Sequence, residues 1–296
     1  MSTIDLHIHS NVSTDGDLTP AAIVHMAKDR NLQAIAITDH NSIRGVKPGL
    51  EAADSFGIRL IPGIEIDCLF RGLNLHVLGY NIDFENPAFT EIEKGAIEQE
   101  KLYFPRLVKR LQDLGFHIQG NDVIEYVAAP IPCEEDVGEY LLHSTKNRDD
   151  LRLLPYREGG TRDDNPLFNF YLDFCSYGKP AYIERQYPDL HSIAQIITDS
   201  GGIPILAHPG ESLPDPDKLL QPVIKEGILG IEAFSSYHTP EMTRYFKSKA
   251  DELDILFTCG SDFHGKNKPA ISLGSVECEG LESQILHGLQ QKSPKF

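Results

Sequence analysis

Short apolar runs recur along both ends of this chain, and several of them lead straight into a histidine or a carboxylate. They fall at residues 4–9, 32–37, 58–61, 64–68, 73–80, 203–207, 230–234 and 255–260. Runs of this length, apolar on consecutive residues, suit strands buried on both faces of a parallel sheet. Amphipathic segments at 20–30, 46–56, 192–200, 216–226, 241–253 and 281–289 alternate with them. The segments at 20–30 and 216–226 open on proline, which fits the first turn of a helix. Repeated β–α units of this kind predict a parallel, barrel-like sheet inside a ring of helices. In such barrels the C-terminal ends of the strands build the active site. That is where this chain carries its histidines.

The pattern lapses in the middle. Residues 91–114 read as one long charged amphipathic helix. Residues 128–160 mix proline, acids and glycine without clear periodicity, and 168–182 are rich in aromatics. We therefore divide the chain into a catalytic barrel, 1–80 plus 195–296, and an inserted, mostly helical substrate or cap domain, 81–194. A length of 296 residues accommodates both. The formal net charge of −17 disfavours duplex nucleic acid and anionic membrane as partners. No apolar run approaches the roughly 20 residues of a membrane span. The N-terminal residues lack the basic and apolar regions of a signal peptide. The five scattered cysteines lack metal-ligand spacing and suit a reducing, cytoplasmic location.

The strand ends carry the chemistry. His7 and His9 stand two apart on a strand, so their side chains share a face. Asp15 follows in the next loop. His40 ends the second run behind Asp39. Glu65 and His76 lie on later strands, and His208 ends another. Asp262 and His264 repeat the two-residue spacing after the last strand. Any one of these is compatible with a hydrogen-bonded structural role. Their joint concentration on one rim points to metal binding instead. Imidazole and carboxylate without thiolate suit Zn, Mn or Fe in open sites.

The segments DLHIHS, STDG, ITDHN, GIEI, LHVLGY, AHP and GSDFHG occur in an order that resembles the PHP (polymerase and histidinol phosphatase) family of metal-dependent phosphoesterases. The resemblance implies a distorted (β/α)7 barrel, TIM-barrel-like, with two or three divalent metal ions at its C-terminal rim. It implies that His7, His9, Glu65 and Asp262 hold one ion. Glu65 then bridges to a second ion held by His76 and His208, and Asp15, His40 and His264 hold a third. It further implies a metal-dependent phosphatase that hydrolyses a phosphomonoester by metal-activated hydroxide. The members with an insertion in this position act on small nucleotides, so a nucleoside monophosphate or 3′,5′-bisphosphate is the implied substrate. Histidinol phosphate, or the end of a short oligonucleotide, is the alternative. A non-catalytic metal-binding role is disfavoured by the complete set of ligand types.

Further candidates are open to two readings each. His238, in a loop before a helix, either binds phosphate or protonates the leaving group, or simply caps the loop. Asp39 either orients its neighbour His40 during catalysis or is structural. Asp5 shares the His7 face as a second acceptor or a structural carboxylate. Lys179, in a segment resembling the close of the family insertion, is a phosphate contact or a surface lysine. Phe168, Phe170, Tyr171, Phe174 and Tyr177 offer a face for a base or form the insertion's own core. Where related members usually carry an Arg/His pair, residues 133–143 read CEEDVGEYLLH. That leaves His143, or Arg106, Lys109 and Arg110 on the long helix, as substitutes for those contacts.

Overall fold

The computed structural model describes residues 2–128 and 131–291. Its seven strands form one sheet in sequence order: β1 (Ile4–Ile8), β2 (Ala34–Ile37), β3 (Arg59–Phe70), β4 (Leu73–Tyr80), β5 (Ile203–Leu206), β6 (Gly230–Ser235) and β7 (Leu256–Gly260). The sheet curls into a nearly closed barrel. The end of β1 meets the segment after β7 through a parallel bridge between Ile8 and Phe263. There the amide of His9 donates to Phe263 O (2.9 Å), and that of Asp262 to His7 O (2.9 Å). This seam draws the His7/His9 and Asp262/His264 pairs together from opposite ends of the chain.

On the outside lie α1 (Pro20–Asp29), α2 (Val46–Phe56), α7 (Leu190–Asp199), α8 (Pro209–Ser212), α9 (Pro216–Ile224), α10 (Pro240–Leu253) and α11 (Glu282–Gln291). The intervening α3 (Pro87–Asp113), α4 (Gly120–Val127), α5 (Glu134–His143) and α6 (Pro166–Phe170) occupy the middle of the chain. The start signals work as expected. The Thr19 side chain accepts from the Ala22 amide, with Pro20 opening α1, and Asn86 caps α3 ahead of Pro87.

Two features depart from a uniform parallel barrel. The runs at 58–61 and 64–68 are one continuous strand, β3. At Pro62-Gly63 its pairing passes from β2 on one side to β4 on the other. Proline is tolerated there because strand ends and changes of pairing do not demand its missing N–H. And β4 runs antiparallel to both neighbours. Only Arg71 and Gly72 join it to β3, with φ of 51° and 81°. Two consecutive positive φ values make a tight hairpin turn, so no helix intervenes and the strand direction reverses. This is the distortion of the barrel.

The barrel interior and its helical coat share one apolar cluster that includes Leu6, Ile64, Val77, Ile205, Ile231 and Phe246. A smaller one joins α1 and α2 to the sheet. A further cluster runs from Tyr103 to Ile183 and draws only on the middle of the chain. The stretch read as aperiodic, 128–160, contains the regular helix α5. Its pattern was hidden because its first turn is Glu134, Glu135 and Asp136. Asp136 accepts from the Cys133 amide (3.1 Å) and so caps the helix.

Candidate metal centre and cavity

Each strand end delivers its side chain to one point at the barrel mouth. Four overlapping groups of side chains place their ligand atoms within 4.8 Å of one another. They are His7, His9, Glu65 and Asp262; Glu65, His76 and His208; His9, Asp15, His40 and His264; and His40, Asp67 and His76. The structure thus brings all nine rim residues together. It adds His9 to the group around Asp15, and it adds Asp67.

The atoms at this point are crowded but misaligned for hydrogen bonding. Glu65 Oε2 lies 3.1 Å from Nε2 of both His7 and His9. Asp262 Oδ1 lies 3.2 and 3.1 Å from the same two nitrogens. His264 Nε2 lies 3.0 Å from Asp15 Oδ2. Yet Glu65 Oε2, Asp262 Oδ1 and His264 Nε2 are buried without a hydrogen-bond partner among the described residues, as are Asp15 Oδ1, His40 Nδ1 and His208 Nδ1. Buried polar atoms are ordinarily paired. Lone pairs that converge on shared points without donors between them fit divalent cations bound by imidazole and carboxylate.

The charges agree. Burial alone would favour neutral carboxyls. Neighbouring imidazoles outweigh it and hold Glu65 well below the ordinary carboxyl range. His264 and His40 do the same for Asp15, and Lys268, His264 and His7 for Asp262. Burial also opposes charge on His7 and His76. Their carboxylate neighbours overcome it and raise both well above the usual imidazole value, so a cation bound there would displace a proton from each ring and free its lone pair. His9 goes the other way, down to about 4, because burial and the nearby His264 and His40 both disfavour its proton.

The outward nitrogens fix each ring. His7 Nδ1 donates to Glu232 Oε1 (2.9 Å), His264 Nδ1 to the Asp262 carbonyl (2.8 Å), and His9 Nδ1 to Ser13 Oγ (3.1 Å). In all three the Nε2 lone pair is left facing the centre. Asp39 acts through this shell and not on the cluster directly. It accepts from the Ser10 amide (2.6 Å), Ser10 Oγ (2.8 Å) and Ser13 Oγ (3.3 Å). Ser13 in turn receives His9 Nδ1–H and the His40 amide (2.8 Å). Burial pushes the Asp39 carboxyl up to about 6. Asp5 is structural: it receives the Ser261 amide and hydroxyl and the Gly274 amide at 2.9, 2.6 and 2.7 Å, clasping the barrel seam.

Sequence reasoning missed three residues. Glu232 is fully buried on β6 and accepts from the His208 amide (3.0 Å) as well as from His7. An acid in the middle of an apolar strand was the available signal. Asp67 lies two residues after Glu65 on the same strand face and sits 3.0 Å from His76 Nε2. That spacing matches the one recognised at His7 and His9. Lys268 donates to Asp262 Oδ2 (2.7 Å) and Tyr237 OH (2.8 Å) and lies over the Phe168 ring. Nothing in its loop sequence marks it out.

Other expectations are corrected. His238 has no free nitrogen: Nδ1 donates to Ala233 O (2.9 Å), Nε2 accepts from the Gly210 amide (3.0 Å), and the ring stacks on Phe246. It ties the loop to the barrel, the structural one of its two readings. Lys179 is exposed at a turn and does not line the cavity beside the cluster. His143 is also exposed, held by Tyr126 and Glu139 O, and so does not replace a missing arginine. Arg106, Lys109 and Arg110 lie on the exposed face of α3, with Lys109 paired to Asp113. The aromatic set divides. Phe170 and Phe174 belong to the middle core and Tyr177 is exposed. Phe168 and Tyr171 line the cavity, their rings stacked 6.0 Å apart. A wide π-turn, Tyr171–Cys175, follows α6 at this point.

That cavity, about 230 Å³, opens directly from the cluster. Asp15, His40 and His76 form one wall, and residues of α3, α5 and α6 form the other.

Comparison with known proteins agrees with this geometry. The family model described as PHP domain matches residues 5–153. A 5′-3′ exoribonuclease of Haemophilus influenzae is 29% identical over 88% of this chain and 89% of its own length. A 3′,5′-nucleoside bisphosphate phosphatase of Chromobacterium violaceum is 27% identical over 94% and 92%. A solved structure of an amidohydrolase from Chromobacterium violaceum superposes with a TM-score of 0.77 at 24% identity, over 97% and 96% of the two chains, and so shares the fold. With its seven-stranded barrel, its rim of converging imidazoles and carboxylates, and a family match over half its length, the chain belongs to the PHP domain family.

Proposed function

We propose that this protein is a metal-dependent phosphatase that hydrolyses a phosphomonoester of a small nucleotide, a nucleoside monophosphate or 3′,5′-bisphosphate. The observation that carries the reading is the set of buried, unpaired lone pairs converging at the mouth of the cavity. In it, His7, His9, Glu65 and Asp262 hold one divalent ion, Glu65, His76 and His208 a second, and Asp15, His40 and His264 a third, as Mn, Zn or Fe. Such ions supply activated water at neutral pH and neutralise charge on the transferring phosphoryl group.

The chain's own residues do the rest. Glu232 and Ser13 hold His7 and His9 in the tautomer that presents Nε2. Lys268, fixed by Asp262 and Tyr237, places an ammonium beside the phosphate. Phe168 and Tyr171 offer ring faces to a base. The relatives are named for nucleotide and RNA phosphoesters, and a cavity of this size suits a small molecule better than an extended strand. The barrel of 1–80 plus 195–296 then carries the chemistry, and 81–194 covers the substrate. Among the described residues no helix is long and apolar enough to cross a membrane, and all five cysteines are free thiols. The unpaired, buried thiols suit the cytoplasmic location we propose.

Phosphate release with Mn²⁺ is the test, measured on nucleoside monophosphates, 3′,5′-bisphosphates, histidinol phosphate and short RNA. The nucleotides should give the highest kcat/KM. Preference for histidinol phosphate would reject the nucleotide, and processive shortening of RNA would reject the small substrate.

A further inference from the structure

Every cation lining the cavity is already engaged. Arg44 pairs with Glu93 at 2.5 Å. Arg185 lies between Glu100 and Glu134, at 2.9 Å from each. Lys268 is bound to Asp262. One acid is not engaged. Glu135, in the first turn of α5, is only 8% exposed and lines the same cavity. Its neighbours have partners: Glu134 receives Arg185 and the Tyr103 hydroxyl (2.8 Å), and Asp136 caps the helix. Among the described residues, the one donor that reaches the Glu135 carboxylate is its own amide. A buried carboxylate with unused acceptor capacity asks for a donor, and only the cavity's occupant is placed to provide one.

We propose that Glu135 sets substrate choice: it accepts a hydrogen bond from a hydroxyl or ammonium on the leaving group, and it excludes a second phosphate from that position. The proposal rests on the phosphomonoesterase reading and narrows it from bisphosphates to monophosphates. A second phosphate beside Glu135 would meet an unpaired carboxylate, with Arg44 and Arg185 already held by Glu93, Glu100 and Glu134 and Lys268 committed to the reacting phosphate. A donor would satisfy the carboxylate instead.

The test uses the full chain loaded with Mn²⁺. Four substrates are compared by kcat/KM: adenosine 5′-monophosphate, adenosine 3′,5′-bisphosphate, phosphoethanolamine and p-nitrophenyl phosphate. The first and third separate hydroxyl from ammonium as the group that is read. The wild type should favour the monophosphate over the bisphosphate by at least about tenfold, near 1.4 kcal/mol. Glu135→Gln, nearly isosteric, should cut that ratio severalfold by raising bisphosphate turnover, and Glu135→Lys should invert it. p-Nitrophenyl phosphate, which lacks a second phosphate and a donor, should change little in Glu135→Gln. An active wild type that prefers the bisphosphate, or a ratio unmoved in both variants, overturns the proposal alone. No turnover of any of the four overturns the phosphomonoesterase reading and the proposal with it.

Discussion

Glu232 offers the sharpest test of how the centre is held. Its two oxygens do different work: Oε1 accepts His7 Nδ1–H at 2.9 Å, and Oε2 accepts the His208 amide at 3.0 Å. Glu232→Gln preserves shape but replaces one acceptor by a donor. If the new NH2 faces His208, two donors collide. If it faces His7, the ring must accept at Nδ1 and carry its proton on Nε2, pointed at Glu65 and Asp262. Either way one charge-assisted hydrogen bond is lost, about 1.5–3 kcal/mol. Loss of such an orienting partner typically weakens metal binding about 10–100-fold, the same range in energy. Titration of chelator-stripped protein with Mn²⁺, followed by metal analysis and activity against free metal, should show that weakening. Saturating metal should restore part of kcat. Circular dichroism should be unchanged, because the substitution adds no volume. A variant with wild-type Mn²⁺ affinity and activity would refute the claim that Glu232 fixes the His7 tautomer.

Four further outcomes are expected. Gly260→Ala should abolish metal binding or soluble expression, since a Cβ there would lie 2.2 Å from His7 Cβ and 2.6 Å from Glu232 Oε1; normal metal content would contradict it. Lys179→Ala and His143→Ala should leave kcat/KM within about twofold, within surface-substitution range, whereas Lys268→Ala should lower it at least tenfold in the same phosphate-release assay. His238→Ala should cost about 1–3 kcal/mol in urea unfolding, because it strands the Gly210 amide and the Ala233 carbonyl, while Mn²⁺ affinity stays at the wild-type value. Chelation should lower the thermal midpoint, since ions at about 100 times their Kd contribute roughly 2.7 kcal/mol to the folded state; a midpoint indifferent to chelator would mean the rim does not bind metal when folded.

The sequence by itself determined the β–α alternation and the convergence of the rim. Both are local: apolar runs specify buried strands, and the residue that ends a strand ends at the barrel mouth. That is why His7, His9, His40, His208, Asp262 and His264 could be placed together before any coordinates. Tertiary structure decided what depends on partners distant in sequence. The reversal of β4 follows from a two-residue turn that leaves no room for a crossover helix. Glu232 and Lys268 matter through contacts with His7 and Asp262, which no spacing reveals, and Asp67, although spaced two from Glu65, through its contact with His76. His238, Lys179 and His143 have the right chemistry but not the right surroundings: the first has both nitrogens occupied, and the others face outward. Glu135 looked like one acid among many in a chain of net charge −17. Packing paired its neighbours and left its carboxylate turned to the cavity, because charge is a property of composition, whereas an unmet hydrogen bond exists only in three dimensions.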